Sequence, residues 1–199
     1  MSIIHKQEYI KDKTELKKWI EADQLNNYHR KINGVELFIR NLLGRNLIDK
    51  YFKLLRYEEY HSNNGHKLFE KFYNLRKTKL GIKIGFDIPK NVIAYGVSSP
   101  HVGTRIISNN AIIGKNFRIH VGVQIGSKDG HAPIIGNNVY IGPGAKLYGD
   151  IYIADNIKIG ANSVVTHSFK ETGITIAGVP AKKIKEKTQA HSSTSFRLK

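Results

Sequence analysis

The chain has 199 residues, of which 40% are hydrophobic and 10% aromatic, and its formal net charge is +16. This apolar fraction can fill a hydrophobic core, so we predict a folded chain of one domain with a smaller appendage. The absence of cysteine excludes a disulfide framework, a cysteine-ligated zinc site and a thiol nucleophile. No apolar run is long enough to span a bilayer and no apolar leader opens the chain, which predicts a cytoplasmic protein.

The positive charge is divided between the N-terminal region and the last residues, with a nearly neutral body between them. Such a distribution favours anionic partners in general. A nucleic-acid partner is not expected, because the sequence contains no zinc finger, RNP motif or basic-zipper region.

The N-terminal region, residues 1–80, is predicted to be α-helical. In the segment TELKKWIEADQ, the residues Leu16, Trp19 and Ile20 fall on one face of a helix, and spacings of three to four recur up to about residue 78. We expect these helices to cover the first strand edge of the structure that follows, and they are also candidates for self-association.

A period of six residues begins at Ile107 and continues to Val165. Neither a helix nor a simple strand has this period, whereas a parallel β-helix of hexapeptide repeats does. We predict that the periodic residues, here called ladder residues, stack inside such a solenoid, and that a small or apolar residue two positions earlier joins them. The ladder residues are Ile107, Ile113, Ile119, Ile125, Ile135, Ile141, Leu147, Ile153, Ile159 and Val165.

The period is interrupted once, between Ile125 and Ile135, where four extra residues are inserted. We therefore predict a loop over residues 126–134 that leaves the coil, either as a functional element or as a tolerated surface insertion. The β-helix is expected to span residues 81–187, and the polar, aperiodic residues 188–199 are expected to form a flexible basic tail.

Four motifs in this region resemble one family. PHVGT, RIHVGVQIG, VYIGPGAKLYGDI and AGVPAKKI are similar to segments of the hexapeptide-repeat acyltransferases, above all the serine O-acetyltransferases and the capsule and lipopolysaccharide O-acetyltransferases. The resemblance covers about residues 80–187. It implies a mostly β protein with a left-handed parallel β-helix, an acetyl-CoA-dependent transfer to a hydroxyl, and a homotrimer, or a hexamer, with active sites at the subunit boundaries.

His101, in PHVGT, is the candidate catalytic base. A hydroxyl attacks a thioester efficiently only when a nearby base takes its proton, and the ordinary pKa of histidine suits that task. Asp87 stands about one coil upstream and falls at the family's partner aspartate if a one-residue gap is allowed. It would hold the imidazole in the productive tautomer, or it would merely shape a turn.

Two further histidines are candidate substrate contacts, each with a plain surface role as the alternative. His120 follows a ladder residue directly, and His131 lies in the predicted loop. The resemblance places a functional histidine of serine acetyltransferases at Ala132, so His131, one position earlier, is a candidate to substitute for it.

The acetyl-CoA arm needs a strip of short side chains, and its phosphates need cations. The resemblance implies that such residues line the cofactor groove, although the same small residues also serve the corners of a β-helix. The candidate acetyl-CoA residues are Gly126, Ser127, Gly142, Gly144, Ala145, Gly160, Ala161, Lys182 and Lys183. No metal is expected.

For the acceptor, we favour a hydroxyl of a sugar or glycan, with polysaccharide biosynthesis as the setting. Pro100 stands where a serine acetyltransferase has aspartate, and Ala132 where it has histidine, and both departures weaken L-serine, the alternative acceptor. A metal-dependent hydratase would need three converging imidazoles, but the β-helix histidines are scattered singly. A non-catalytic β-helix scaffold is the remaining alternative.

Overall fold

The computed structural model describes residues 8–28, 34–36, 39 and 46–185. The predicted tail, residues 188–199, and several residues of the N-terminal region lie outside that part. The helices with defined bounds are α1 (Lys13–Tyr28), α2 (Leu47–Asn63) and α3 (Lys67–Ile84). At the start of α1, the Asp12 carboxylate accepts hydrogen bonds from the backbone N–H groups of Thr14 and Glu15, which satisfies two donors of the first turn. α3 is capped at its C-terminus by Gly85, whose φ of 80° suits a residue without a Cβ atom.

The helices cover the first coil of a solenoid. The buried carboxylate of Asp23 in α1 accepts hydrogen bonds from the backbone N–H groups of Gly96 and Val97 at 2.7 and 2.9 Å. Arg56 in α2 is also fully buried, and its guanidinium pairs with the carboxylates of Asp23 and Glu59. Side chains of the helices therefore form the hydrogen bonds that backbone groups of the first coil would otherwise lack at the open end of the solenoid.

The solenoid consists of five coils whose strands form three parallel sheets called A, B and C. Coil 1 reaches sheets B and C, and coil 5 reaches sheet B, through single bridges. Coils 1 to 5 begin at Phe86, Arg105, Val123, Lys146 and Val164, where the chain enters sheet A. Sheet A contains β1 (Phe86–Asp87), β2 (Arg105–Ile107), β5 (Val123–Gly126), β8 (Lys146–Tyr148) and β11 (Val164–Val165). Sheet B contains β3 (Ile112–Ile113), β6 (Ile134–Ile135) and β9 (Tyr152–Ile153). Sheet C contains β4 (Arg118–Ile119), β7 (Tyr140–Ile141), β10 (Lys158–Ile159) and β12 (Thr175–Gly178), and β13 (Ala181–Lys185) pairs antiparallel with β12.

The ladder residues form the interior, and the predicted solenoid preceded by helices is confirmed. In sheet A, Ile107, Ile125, Leu147 and Val165 lie in register on successive coils. All ten predicted ladder residues are at most 3% exposed. Because three short strands make one coil, each ladder residue faces the residue about eighteen positions further along the chain, except where the inserted loop lengthens coil 3.

A column of asparagines lines one corner of the solenoid. Asn116, Asn138 and Asn156 adopt φ angles of 54°, 56° and 61°, a conformation that asparagine tolerates better than most residues. Their side-chain amides hydrogen bond in series at 3.0 and 3.1 Å, and Asn26 of α1 joins the end of the column at 3.1 Å. The column ties helix α1 to the coils.

Candidate functional site

Two edges border sheet A, and the candidate residues are distributed between them. We call the corner where the chain passes from sheet C into sheet A the leading edge, and the corner where it leaves sheet A for sheet B the trailing edge. Backbone hydrogen bonds join successive coils along the leading edge, from His120 to Ile141 and from Gly142 to Ile159. At about 3.3 Å per residue, the four residues of β5 separate the two edges by about 13 Å.

His101 lies on the leading edge, in the corner between coils 1 and 2, and its side chain is exposed. Gly103 shapes this corner, with a φ of 131°. A Cβ atom there would lie 2.5 Å from Cγ2 of Val121 on the next corner, so only glycine lets the two corners approach this closely. The Gly103 N–H donates to the carbonyl of Ile84 at 2.9 Å, which ties the corner to the end of α3.

His120 lies on the same edge, one corner further along. Its ring centroid is 5.1 Å from that of Tyr140, and its Nε2 atom accepts a hydrogen bond of 3.5 Å from Arg118. Burial, followed by the positive charges of Arg118, Arg105 and His101, lowers the pKa of His120 below its ordinary value. The neutral imidazole is therefore favoured there. The structure thus brings His101 and His120 to neighbouring corners.

Asp87 is exposed on β1, where it stands in register with Ile106 of β2. It lines a cavity of about 920 Å³ between α3 and the first two coils, and Thr104, from the His101 corner, lines the same cavity. Burial raises the pKa of Tyr51, and the nearby Asp87 carboxylate adds to that effect. Within the described part of the chain, no hydrogen bond or ion pair joins Asp87 to His101. One chain alone does not assemble the predicted pair.

His131 lies on the other side of sheet A, at the trailing edge. In the inserted loop, the backbones of Lys128 and His131 exchange hydrogen bonds of 2.8 and 3.0 Å around Asp129 and Gly130, both with positive φ. This is a tight Asp-Gly hairpin turn. Asn110 of the preceding coil holds the turn by donating to the Gly130 carbonyl at 2.8 Å. His131 is exposed, and a single chain does not bring it to the corner of His101.

The candidate acetyl-CoA residues do not form one strip. Gly126 and Ser127 are at the trailing edge, where the Tyr148 ring lies against Gly126. Ala145 is completely buried in the core, so its methyl group offers no surface to a groove, which corrects the expectation for this residue. The other four small residues lie together on the leading edge, where only Gly142 is buried; they are Gly142, Gly144, Gly160 and Ala161.

The small residues of the leading edge also have a structural role. A Cβ atom on Gly142 would lie 2.8 Å from the backbone nitrogen of Ala161, and one on Gly160 would lie 2.8 Å from Cβ of Ala177. The coils therefore pack closely here. Ala161 itself is exposed.

Lys182 and Lys183 follow the last coil on β13. Lys182 is exposed and pairs in register with Ala177, at the far end of the leading edge. The Lys183 ammonium forms an ion pair with Glu171 at 2.8 Å. From the corner of His101 to the end at Ala177 there are four interstrand spacings, or about 19 Å at about 4.8 Å each.

Arg105 is a residue of this region that the sequence analysis missed. It lies in β2 directly after the His101 corner and is completely buried. Its Nη2 atom and the Oγ atom of Ser99 are buried side-chain atoms without a hydrogen-bond partner within the described residues. The sequence did contain a sign of its unusual role, because Arg105 stands two positions before Ile107, where other coils carry small or apolar residues.

The described residues support neither a metal site nor a membrane-spanning helix. These residues contain no cluster of three histidines, cysteines or carboxylates arranged to hold a metal. No helix within the same part of the chain is long and apolar enough to cross a bilayer.

Comparison with known proteins shows which family this architecture resembles. The model of the family "Bacterial transferase hexapeptide (six repeats)" matches residues 132–167. A serine acetyltransferase of Buchnera aphidicola is 30% identical over 172 residues, which are 78% of this chain and 65% of that protein. The serine acetyltransferase of Haemophilus influenzae is 31% identical over 143 residues, or 65% of this chain and 53% of its own length. The chain thus spans less than two thirds of these curated relatives.

Solved structures agree with this result. The crystal structure of Neisseria gonorrhoeae serine acetyltransferase in complex with serine has a TM-score of 0.64 and 30% identity, covering 87% of this chain and 70% of that one. A serine acetyltransferase in complex with CoA has a TM-score of 0.63 and 26% identity, covering 86% and 71%. The similarity therefore includes the helical region as well as the coils.

Proposed function

Because this chain belongs to the hexapeptide-repeat acyltransferases, we propose that it is an O-acetyltransferase that moves an acetyl group from acetyl-CoA to a hydroxyl. One observation carries the proposal: a single edge of the solenoid has two histidines at one end, four small residues along its middle and an exposed lysine at the other. This order matches the chemistry of acetyl-CoA, whose thioester and phosphates lie at opposite ends of a long arm.

In this proposal, His101 is the general base. It takes the proton of the acceptor hydroxyl as the oxygen attacks the thioester carbonyl, and it returns a proton to the departing thiolate. An exposed side chain suits this role, because both substrates must reach it. His120 is favoured in its neutral form and serves as a hydrogen-bonding contact for the acceptor.

Acetyl-CoA would lie along the leading edge, with its thioester near His101 and its phosphates near Lys182. Gly144, Gly160 and Ala161 are at least partly exposed and leave room for the pantetheine arm, because no longer side chain projects from their positions. Lys182 is better placed than Lys183 to meet a phosphate, since the Lys183 ammonium already pairs with Glu171.

Residues of the trailing edge would enter the site from a neighbouring copy. His131, Gly126 and Ser127 lie about 13 Å across sheet A from the leading edge of their own chain. A homotrimer that packs the trailing edge of one chain against the leading edge of the next would bring His131 to His101 of its neighbour. The proposed roles of His131 and of Asp87 depend on such an assembly.

For the acceptor, the comparisons support L-serine over the glycan hydroxyl that the sequence favoured. Both curated relatives described above are serine acetyltransferases, and the Neisseria relative was solved with serine. The polysaccharide setting receives no support from them. A glycan hydroxyl is kept as the second candidate acceptor because Pro100 and Ala132 occupy two positions where this sequence departs from serine acetyltransferases.

An acceptor comparison tests the proposal. The full chain is incubated with acetyl-CoA and either L-serine or a panel of glycans, and thiol release is followed with a disulfide reagent. The protein contributes no thiol, because it contains no cysteine. Release that depends on L-serine, with O-acetylserine as the product, supports the primary acceptor, and release that depends on a glycan transfers the proposal to the second. Absence of release with every acceptor, together with absence of CoA binding, contradicts it.

A further inference from the structure

Arg105 occupies an unusual position in the solenoid. It lies in register between Phe86 on β1 and Val123 on β5, both of which are buried apolar residues. An apolar ladder is an unfavourable place for a guanidinium, because a buried charge loses its hydration. Burial lowers the pKa of Arg105 to about 10, so its side chain is still charged at neutral pH.

The contacts of Arg105 are carbonyl oxygens and an aromatic ring. Nη1 donates to the carbonyl of Gly103 at 2.8 Å, and Nε donates to the carbonyl of Ile119 at 3.4 Å. The guanidinium carbon lies 4.6 Å from the ring centroid of Phe86. Within the described residues, no carboxylate pairs with it, and Nη2 has no hydrogen-bond partner.

The other fully buried arginine of the described chain shows how different this is. Arg56 is neutralised by two carboxylates, those of Asp23 and Glu59, and its role is to join helices to the first coil. Arg105 has no such neutralisation, so its positive charge acts on its surroundings. Its two carbonyl partners belong to the corner of His101 and to the residue immediately before His120.

We propose that Arg105 is a positioning residue of the acetyltransferase site, which clamps the His101 and His120 corners together from inside the solenoid. The clamp fixes the distance between the proposed base and the proposed acceptor contact. The charge effect is consistent with the lowered pKa of His120, to which burial, Arg118, Arg105 and His101 all contribute. The fourth neighbour, Tyr140, presents its ring to His120 from the next coil. The kinetic part of this inference depends on the proposed function.

Lys146 provides a matched control. Its ammonium donates to the carbonyls of Gly122 and Gly144 at 2.8 and 3.1 Å, so it joins the His120 corner to the following corner of the same edge in a similar way. The contributors to the pKa of His120 do not include Lys146. Arg105→Met and Lys146→Met therefore each remove one cation and two carbonyl contacts, but only the first removes a contact to the His101 corner.

The test measures the titration of His120 by NMR on histidine-labelled protein, with His120→Gln used to assign the signal, and kcat and KM in parallel. Arg105→Met is expected to move the His120 titration to higher pH, because a nearby positive charge is lost. It is expected to lower kcat by about tenfold to a hundredfold, because the base is no longer held in place. The KM for acetyl-CoA should change little. Lys146→Met should leave the His120 titration unchanged.

Arg105→Lys separates the two effects. It keeps the charge but loses the planar fork, so the His120 titration should resemble that of the wild type while kcat falls. A folded Arg105→Met protein with wild-type kcat and an unchanged His120 titration overturns the inference. An equal shift in Lys146→Met overturns it as well.

Two further outcomes are a variant that does not fold and a protein that does not transfer acetyl groups. If Arg105→Met does not fold, Arg105→Lys decides the positional part: reduced kcat supports it and wild-type kcat overturns it. The histidine titration requires no substrate, so failure of the proposed acetyl transfer would leave the NMR result standing. Conversely, an active enzyme whose His120 titration ignores Arg105 would overturn this inference alone.

Discussion

His101 and His120 occupy successive corners of one edge of the solenoid, close enough for the charge of His101 to contribute to the lowered pKa of His120. Gly103 makes this proximity possible, because its missing Cβ atom lets the His101 corner approach Val121. The two imidazoles are therefore placed by the backbone geometry of neighbouring coils.

His120 should make the stability of the protein depend on pH. Its pKa in the folded chain lies below the ordinary 6.5, so under acidic conditions the unfolded chain binds a proton that the folded chain excludes. The free energy of unfolding should therefore fall as the pH falls below about 6.5. His120→Gln should flatten this slope in urea titrations between pH 5 and 7. His61, whose pKa burial also lowers, contributes equally to both proteins. Equal slopes would contradict the prediction.

Lys182 should affect the binding of acetyl-CoA and not the chemical step. Lys182→Gln removes a cation proposed to meet a phosphate, so the KM for acetyl-CoA should rise about fivefold to tenfold with little change in kcat. Lys170→Gln, which removes an exposed charge from a loop, is the matched control. Similar KM values for both variants would contradict the proposed phosphate position.

A large side chain at position 161 should block the cofactor path. Ala161 is exposed on the leading edge, so a tryptophan there can point into solvent without disturbing the core. We expect Ala161→Trp to raise the KM for acetyl-CoA by about tenfold or more while the melting temperature stays close to that of the wild type. Unchanged saturation by acetyl-CoA would show that the arm does not follow this edge.

The asparagine column should contribute to stability through two separable effects. Asn138→Ala removes two side-chain hydrogen bonds and places alanine at a φ of 56°, so it should destabilise the fold by about 1–2 kcal/mol. Asn138→Gly removes the same hydrogen bonds but tolerates this φ, so it should cost less. Chemical unfolding of both variants measures the difference. If Asn138→Gly is less stable than Asn138→Ala, the prediction is contradicted.

The fold could be predicted because the six-residue period has a direct physical cause. Each short strand buries one ladder residue, and three strands close one coil, so the period appears in the order of the amino acids themselves. The interruption after Ile125 was visible for the same reason, and its residues 128–131 do form a hairpin.

The candidate acetyl-CoA residues were predicted less well, because the sequence pattern was not used to decide on which edge of the solenoid each residue lies. Residues return to the same corner only after about eighteen positions, and the loop adds four. Gly142 and Gly160 obey that spacing and share an edge, whereas Gly126 lies sixteen residues before Gly142 and falls on another. Ala145 stands two positions before Leu147, in the series of inward residues, so its burial follows from the same pattern.

The pairing of Asp87 with His101 could not be settled by spacing. The chain between them forms the first coil, which opens onto helices and not onto another coil, so its path differs from that of later coils. Arg105 was missed because a ladder pattern directs attention to apolar residues. Its burial depends on carbonyl oxygens from two separate corners, which only the folded coils bring together.

The most direct test of the central claim is acetyl transfer by His101→Asn, an uncharged variant of similar shape. CoA binding is measured by calorimetry, and thiol release from acetyl-CoA is followed with the acceptor that the wild-type protein uses. If His101 is the base, the affinity for CoA should stay within about twofold of the wild type, while kcat falls by about a hundredfold to ten-thousandfold. A His101→Asn protein that transfers acetyl groups at the wild-type rate would contradict the account.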